Sequence, residues 1–248
     1  MMAVLAQIWR HPIKSHGAEA LEAVQLIAGQ TMPWDRRWAV AHEAAKADAS
    51  AWSPCANFSR GAKAPALMAI SAKTDETTGR ITLRHPELGE LTIDPETEAE
   101  ALIAWAGPLV PTDRAQSARV VRVPDRGMTD TDFPSISLNS TSSLRALSQK
   151  VGADLDPRRF RGNLWLDGLG PWEEFEWIGK TLRIGEAELR VIERIGRCLA
   201  TTANPKTGAR DADTLGALED GWGHTDFGVY AEVTQSGVIR RDDPVELL

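Results

Sequence analysis

Three features of the sequence predict a mainly β fold with barrel character. Short runs of alternating apolar residues recur between turns containing Gly or Pro, from residue 3 to the C-terminal end. Only two longer stretches, around 94–106 and 140–151, carry the three-to-four-residue apolar spacing of an amphipathic helix. Composition also shifts between 111 and 130, which divides the 248 residues into two parts. We therefore expect a β-barrel-like domain over 1–117 and a second β-barrel over 118–248. The few short helices (an α+β fold in detail) should cover barrel ends or sheet faces.

Residues 3–9 alternate, with Val4, Ala6 and Ile8 assigned to one face, and Pro12 interrupts the strand. Residues 21–27 read as a second strand that turns at Gly29, and another apolar strand starts at Trp38. Residues 44–64, rich in Ala, Ser, Lys and Gly without a clear period, read as an irregular connection. Residues 66–71 read as a strand. Ile81/Leu83 and Leu91/Ile93 read as a hairpin around HPELGE. Asp94 is expected to cap a helix with Pro95 in its first position and Ala99, Leu102 and Ala106 on one face, ended by Gly107-Pro108. Residues 118–123 form the next strand, followed by a Gly/Asp/Thr-rich loop at 124–134. Ser140 or Thr141 caps the second helix, Leu144, Leu147 and Val151 line its face, and Gly152 stops it. Then come a strand at 164–166, a hairpin of 181–184 with 189–192, a helical turn at 214–218, and a strand in which Phe227, Val229, Ala231 and Val233 alternate.

Composition is that of a soluble globular protein, with 42% hydrophobic and 25% charged residues. A net charge of −7 argues against a nucleic-acid or anionic-membrane surface, while leaving room for a local basic pocket. The apolar run near the N-terminus is too short for a signal peptide, and no stretch of about 18 apolar residues follows, so we expect no membrane span and a cytoplasmic location. The two cysteines, Cys55 and Cys198, form no paired C-x-x-C pattern, which excludes a zinc ribbon or a cysteine-rich iron–sulfur cluster.

The chemistry concentrates in residues 194–211, RIGRCLATTANPKTGARD. Cys198 follows Arg197 and precedes Thr201 and Thr202, an electropositive setting that suits a thiolate ligand; a buried, space-filling cysteine is the alternative. Lys14 and Ser15, on the loop after the first strand, could meet an anion or could face solvent. Arg36 and Arg37 could clamp a phosphate or pair with Asp35. Asp211, Asp213, Glu219, Asp220 and Asp226 read as solvated loop charges.

Taken in order, the segments HPIKS, WDRRW, RFRGNLWLDG, GRCLATTANPKTG, FGVYAEV and DDPVEL resemble the MOSC-domain proteins, the molybdenum cofactor sulfurase C-terminal domain family that includes the amidoxime-reducing component and bacterial relatives. The resemblance implies an N-terminal MOSC-associated β-barrel, then a MOSC β-barrel, with molybdopterin held between them and a cysteine thiolate on molybdenum. By this resemblance Cys198 is the metal ligand and catalytic thiol, and Lys14, Ser15, Arg36, Arg161, Asn163 and Arg197 contact the cofactor, with Thr201 and Thr202 beside it. Gly196 departs from the hydroxyl residue that many relatives carry there. Pyridoxal phosphate binding enters only as a family-level association. The implied activity is an oxidoreductase acting on N-hydroxylated small molecules. No ferredoxin-like cysteine cluster follows, so electrons are expected from a separate ferredoxin- or cytochrome-type donor with its reductase. A cofactor or sulfur carrier using the Cys198 thiol, or a binding-only member, are the competing readings. Cys55 matches no ligand and reads as packing or an incidental thiol.

Overall fold

The first strand of the chain is a stave of the barrel built by its C-terminal half. In the computed structural model, which describes residues 3–46 and 50–248, β1 (Ala3–Arg10) pairs along its length with three other strands. The N-terminal part continues with β2 (Glu19–Leu21), β3 (Ala23–Leu26), β4 (Ala39–His42), β5 (Ser71–Asp75), β6 (Arg80–His85), β7 (Gly89–Ile93), α1 (Ala99–Ala106) and β8 (Ser117–Val121). Beyond it lie β9 (Ile136–Ser140), α2 (Thr141–Val151), β10 (Leu164–Asp167), β11 (Thr181–Ile184), β12 (Ala187–Gly196), α3 (Thr214–Trp222), β13 (Asp226–Gln235), β14 (Gly237–Arg240) and β15 (Pro244–Leu247).

The strands β10-β9-β13-β12-β11-β15-β1 pair in that order, and β1 returns to β10, closing a seven-stranded barrel. All its pairings are antiparallel except β9 with β10, which α2 connects as a crossover. Leu5, Ile8, Leu138, Leu164, Leu166, Leu182, Leu189, Val191 and Val229 fill the interior. Closure removes the exposed edges that an open sheet of this composition would present. A second core gathers Ile13, Trp38, Val40, Leu67, Ile81, Leu83, Ile93 and Leu102 between the β5-β6-β7 meander, α1 and the β4–β8 pair.

Several local expectations need correction. The faces of β1 shift because the register slips between Leu5 and Gln7, so Leu5 and Ile8 point inward while Val4 and Ala6 are only half-buried. The stretch 21–27 is two strands, broken at Glu22, with β2 on β1 and β3 on β14. Residues 66–71 are not a strand: a 3-10 helix runs over Pro65–Ala69, burying Leu67 and Met68, and β5 begins only at Ser71. Asp94 does not cap α1. Its side chain accepts from the Glu96 backbone N–H in a local turn, and the helix starts after Glu98. The helical turn at 214–218 extends to Trp222 and ends at Gly223 in the left-handed region. Residues 44–64 are irregular apart from a 3-10 turn at Cys55–Asn57, and 47–49 of that expectation lie outside the described residues. Elsewhere the reading matches. Ser140 caps α2 by accepting from Ser142 and Ser143 N–H, a contact worth about 1 kcal/mol.

Ser143 also donates its hydroxyl to both oxygens of Glu174, a fully buried carboxyl with no cation beside it. Burial pushes Glu174 up to about 7. The folded state therefore holds a proton that the unfolded chain releases near pH 4.5, and stability falls as pH rises through 7. Thermal denaturation from pH 5 to pH 8.5 should show this loss, on the order of 1–3 kcal/mol. Glu174→Gln should flatten the dependence.

Candidate functional site

Five chain segments that are remote in sequence meet against the outer face of β9 and β13, where Ser137 and Tyr230 alternate with the interior-facing Ile136, Leu138, Val229 and Ala231. They are the exit of β1 (11–17), the turn 34–37, the loop 124–134, the turn after Pro157, and the end of β12. Lys14, Ser15, Arg36, Arg161, Arg197 and Cys198 line a single cleft there, which encloses about 240 Å³. Three of these residues hold backbones that L side chains seldom adopt: φ is 63° at Ser15, 49° at Arg36 and 48° at Arg161. Such conformations each cost about 1–3 kcal/mol and persist where the surroundings over-determine them, typically at binding sites.

The turn at Arg36 is held from both sides. Arg36 N–H donates to His11 C=O, and Met128 N–H donates to Arg36 C=O, both at 2.7 Å. Below it, buried Asp35 pairs with the Arg36 guanidinium and accepts from His11 N–H. Burial opposes the Asp35 charge, yet Arg36 holds the carboxyl well below the usual carboxylate range. Arg36 then reaches across to the Arg161 carbonyl at 2.8 Å, which ties the N-terminal segment to the barrel.

The four cations anticipated from the sequence do not carry equal free charge. Lys14 Nζ donates to the carbonyls of Met128 and Thr129 and pairs with Asp130 at 2.6 Å, so its three donors are spent on the 128–130 loop. Arg36 has Asp35. Arg161 and Arg197 have no carboxylate partner among the described residues. Arg161 donates to the Gly17 and Ile13 carbonyls; Arg197 donates to the Phe227 and Phe160 carbonyls and to Asn139 Oδ1. Burial pushes both guanidiniums down, Arg161 to about 9 and Arg197 to about 10. Two half-buried cations with no carboxylate in direct contact among the described residues make a site for an anion.

Cys198 lies two residues beyond β12 and is exposed at this cleft. Thr201 also lines it, while donating its hydroxyl to the Cys198 carbonyl at 3.1 Å. Two of the anticipated contacts sit elsewhere. Asn163 lies outside the lining: its side chain accepts from Ser137 and donates to the Trp9 carbonyl, binding β1 to the barrel interior. Thr202 turns to Leu199 C=O and Arg210.

The cleft also includes Arg159 and Tyr230, which the sequence did not single out, and Cys55, which it reads as packing or an incidental thiol. Arg159, two before Arg161, is buried and pairs with Asp211 at 2.5 Å, so Asp211 is not merely a solvated charge. Tyr230, the only tyrosine in the chain, faces the same space, and burial pushes its hydroxyl up to about 12. Cys55 is half-buried and lines the same cleft, where Arg60 Nη1 approaches its Sγ at 3.1 Å. The basic RRFR run and the lone tyrosine on an alternating strand were the only sequence signals for these. Among the described residues, no three His, Cys, Asp or Glu side chains cluster as a self-sufficient metal site.

The family model of the MOSC N-terminal beta barrel domain matches residues 2–132, and that of the MOSC domain matches 126–246. The chain belongs to the MOSC domain family. The two matches of this MOSC protein overlap on the loop that Lys14 holds. Among curated proteins it is 30% identical over 150 residues to mitochondrial amidoxime-reducing component 1 of Mus musculus, covering 56% of this chain and 43% of the relative. It is likewise 30% identical to the Xenopus laevis protein of that name over 126 residues, 46% of this chain and 36% of the relative. The matches thus span less than half the length of those relatives. Among solved structures it is similar to the YUAD protein from Bacillus subtilis, with a TM-score of 0.49 and 12% identity over 100% of this chain and 96% of the other. YiiM from Escherichia coli gives a TM-score of 0.33 and 18% identity over 46% and 53%. No helix among the described residues is long and apolar enough to cross a membrane.

Proposed function

We propose that this MOSC protein is a molybdenum-dependent oxidoreductase that reduces N-hydroxylated small molecules with electrons from a separate donor protein. The observation that carries the reading is an exposed thiol, Cys198, on a cleft where the guanidiniums of Arg161 and Arg197 meet only neutral acceptors among the described residues. One thiolate cannot by itself hold a metal, so the metal must come with an organic carrier, and an anionic carrier answers the unpaired cations. A phosphorylated pterin bearing molybdenum fits both requirements. The names of the amidoxime-reducing relatives add support for the substrate class.

In this reading Cys198 supplies the sulfur ligand, and Arg161 and Arg197 hold the phosphate. Tyr230 stays protonated at neutral pH and offers a neutral hydroxyl donor to the cleft. When bound, the cofactor supplies two-electron chemistry at a metal with affinity for oxygen. The overall conversion takes R–NHOH, two electrons and two protons to R–NH2 and water. The electrons come from the external donor, of ferredoxin or cytochrome type. Solvent at the open cleft mouth, where Cys198 is exposed, supplies the protons.

The test is metal and pterin analysis of the purified protein, followed by reduction of a simple amidoxime with a chemical electron donor. Molybdenum at a ratio near one per chain with turnover supports the reading, and a protein that never acquires molybdenum overturns it. A second reading, a sulfur or cofactor carrier, is favoured by the second thiol, Cys55, in the same cleft. A reductant-labile mass increase on Cys198, in a metal-replete protein inert to several N-hydroxylated compounds, would select it.

A further inference from the structure

Asn139 is fully buried in β9, where every other residue faces a packed surface. Its Oδ1 accepts from Arg197 Nη2 at 2.8 Å, while its Nδ2 has no partner among the described residues. Two glycines shape the space around this amide. A Cβ at Gly162 would lie 1.8 Å from Nδ2, and one at Gly228, where φ is +75°, would lie 2.4 Å from Oδ1. The chain therefore gives up side chains at two positions to seat a polar group whose amide nitrogen stays unsatisfied. A purely structural site would favour an apolar residue of the same shape. What the asparagine gains is one contact, to the guanidinium adjacent to the cleft thiol.

We propose that Asn139 is a positioning residue: its carbonyl oxygen fixes the Arg197 guanidinium in its seat and so maintains the positive charge beside Cys198. The rest of the seat consists of carbonyls. Phe227 C=O accepts from Nε and Nη2, Phe160 C=O accepts from Nη1, and the guanidinium lies 5.5 Å and 5.8 Å from the Phe160 and Phe227 ring centroids. These neutral partners leave the charge uncancelled, and Asn139 does the same where an aspartate would neutralise it. The inference rests on the reading of this cleft as an anion and thiolate site, but not on the identity of the metal.

The test uses Cys198 itself as the probe, in protein stripped of any bound cofactor so that the thiolate is free to react. Site-resolved mass spectrometry gives the alkylation rates of Cys198 by iodoacetate, an anion, and by iodoacetamide, which is neutral. Both reagents attack the same thiolate, so the ratio of rates reports the local charge and cancels any change in thiol ionisation. Wild type should show a ratio well above that of the urea-unfolded chain. Asn139→Asp should lower it about fivefold by cancelling one charge at close range. Asn139→Leu should lower it by a smaller factor as the guanidinium leaves its seat, while thermal stability holds or rises. A structural role predicts the opposite for Asn139→Leu, a lower melting temperature with an unchanged ratio, and that outcome overturns the proposal. So does a ratio in Asn139→Asp within twofold of wild type, or a wild-type ratio no higher than that of the unfolded chain. If Asn139→Leu fails to fold, Asn139→Ser replaces it with the same two readouts. Loss of the molybdenum reading in metal analysis would leave these ratios unaffected, so the two can fail separately.

Discussion

Cys198→Ser is expected to purify folded and without molybdenum. The residue is exposed two positions beyond β12 and fills no core volume, so the change should cost no more than about 0.5 kcal/mol in thermal denaturation. A neutral hydroxyl is a far poorer ligand for a soft metal than a thiolate, so elemental analysis should find molybdenum at background and amidoxime reduction should vanish with it. Cys55→Ser is the control and should retain both, because the proposed ligand set does not include Cys55 although it lines the same cleft. Wild-type metal content in the Cys198 variant would falsify the ligand role.

Arg161→Met should separate stability from binding. Burial, with Arg36 beside it, pushes the Arg161 guanidinium down to about 9, so in the ligand-free protein its charge opposes folding. Methionine fills similar volume without that charge, at the cost of two long hydrogen bonds to the Gly17 and Ile13 carbonyls. The ligand-free variant should therefore be as stable as wild type at pH 7 or more stable by about 1 kcal/mol. The sign with pH follows from the unfolded chain binding the proton more tightly. Ligand-free wild type gains stability relative to the variant as pH rises through 9. Cofactor retention should behave in the opposite way, falling more than about tenfold in the variant, since removing one partner of a buried charge pair costs 1.4 kcal/mol or more. A destabilised variant that keeps its cofactor would show that Arg161 serves the fold rather than the anion.

Local signals fared well wherever the physics was local. The stop at Gly152 and the hairpin around Gly185 are legible in the sequence, and the cap is narrowed there to Ser140 or Thr141, of which the structure uses Ser140, because each depends on residues within one turn of chain. The errors share a cause. Residues 66–71 had a strand-like apolar content, but Leu67 and Met68 are buried as a 3-10 turn against the second core. Asp94 resembled a cap until its side chain was taken by Glu96 N–H. The face of β1 depended on a register slip against β10, more than 150 residues away, which no pattern in residues 3–10 records.

The site divides in the same way. The sequence by itself determined the mainly β class, the motifs that resemble the MOSC family, and the candidacy of Cys198 with Lys14, Ser15, Arg36, Arg161 and Arg197, because residue type and order carry that information. Only the tertiary structure decided which cations remain unpaired. Lys14 and Arg36 are neutralised by Asp130 and Asp35, whereas Arg161 and Arg197 meet only neutral acceptors. It also turned Asn163 and Thr202 away from the cleft and brought Tyr230, Arg159 and Cys55 into it. The reason is that charge and ligation act through space over a few ångströms, while the residues involved are separated by up to about 200 positions, and only closure of the barrel by β1 sets those distances.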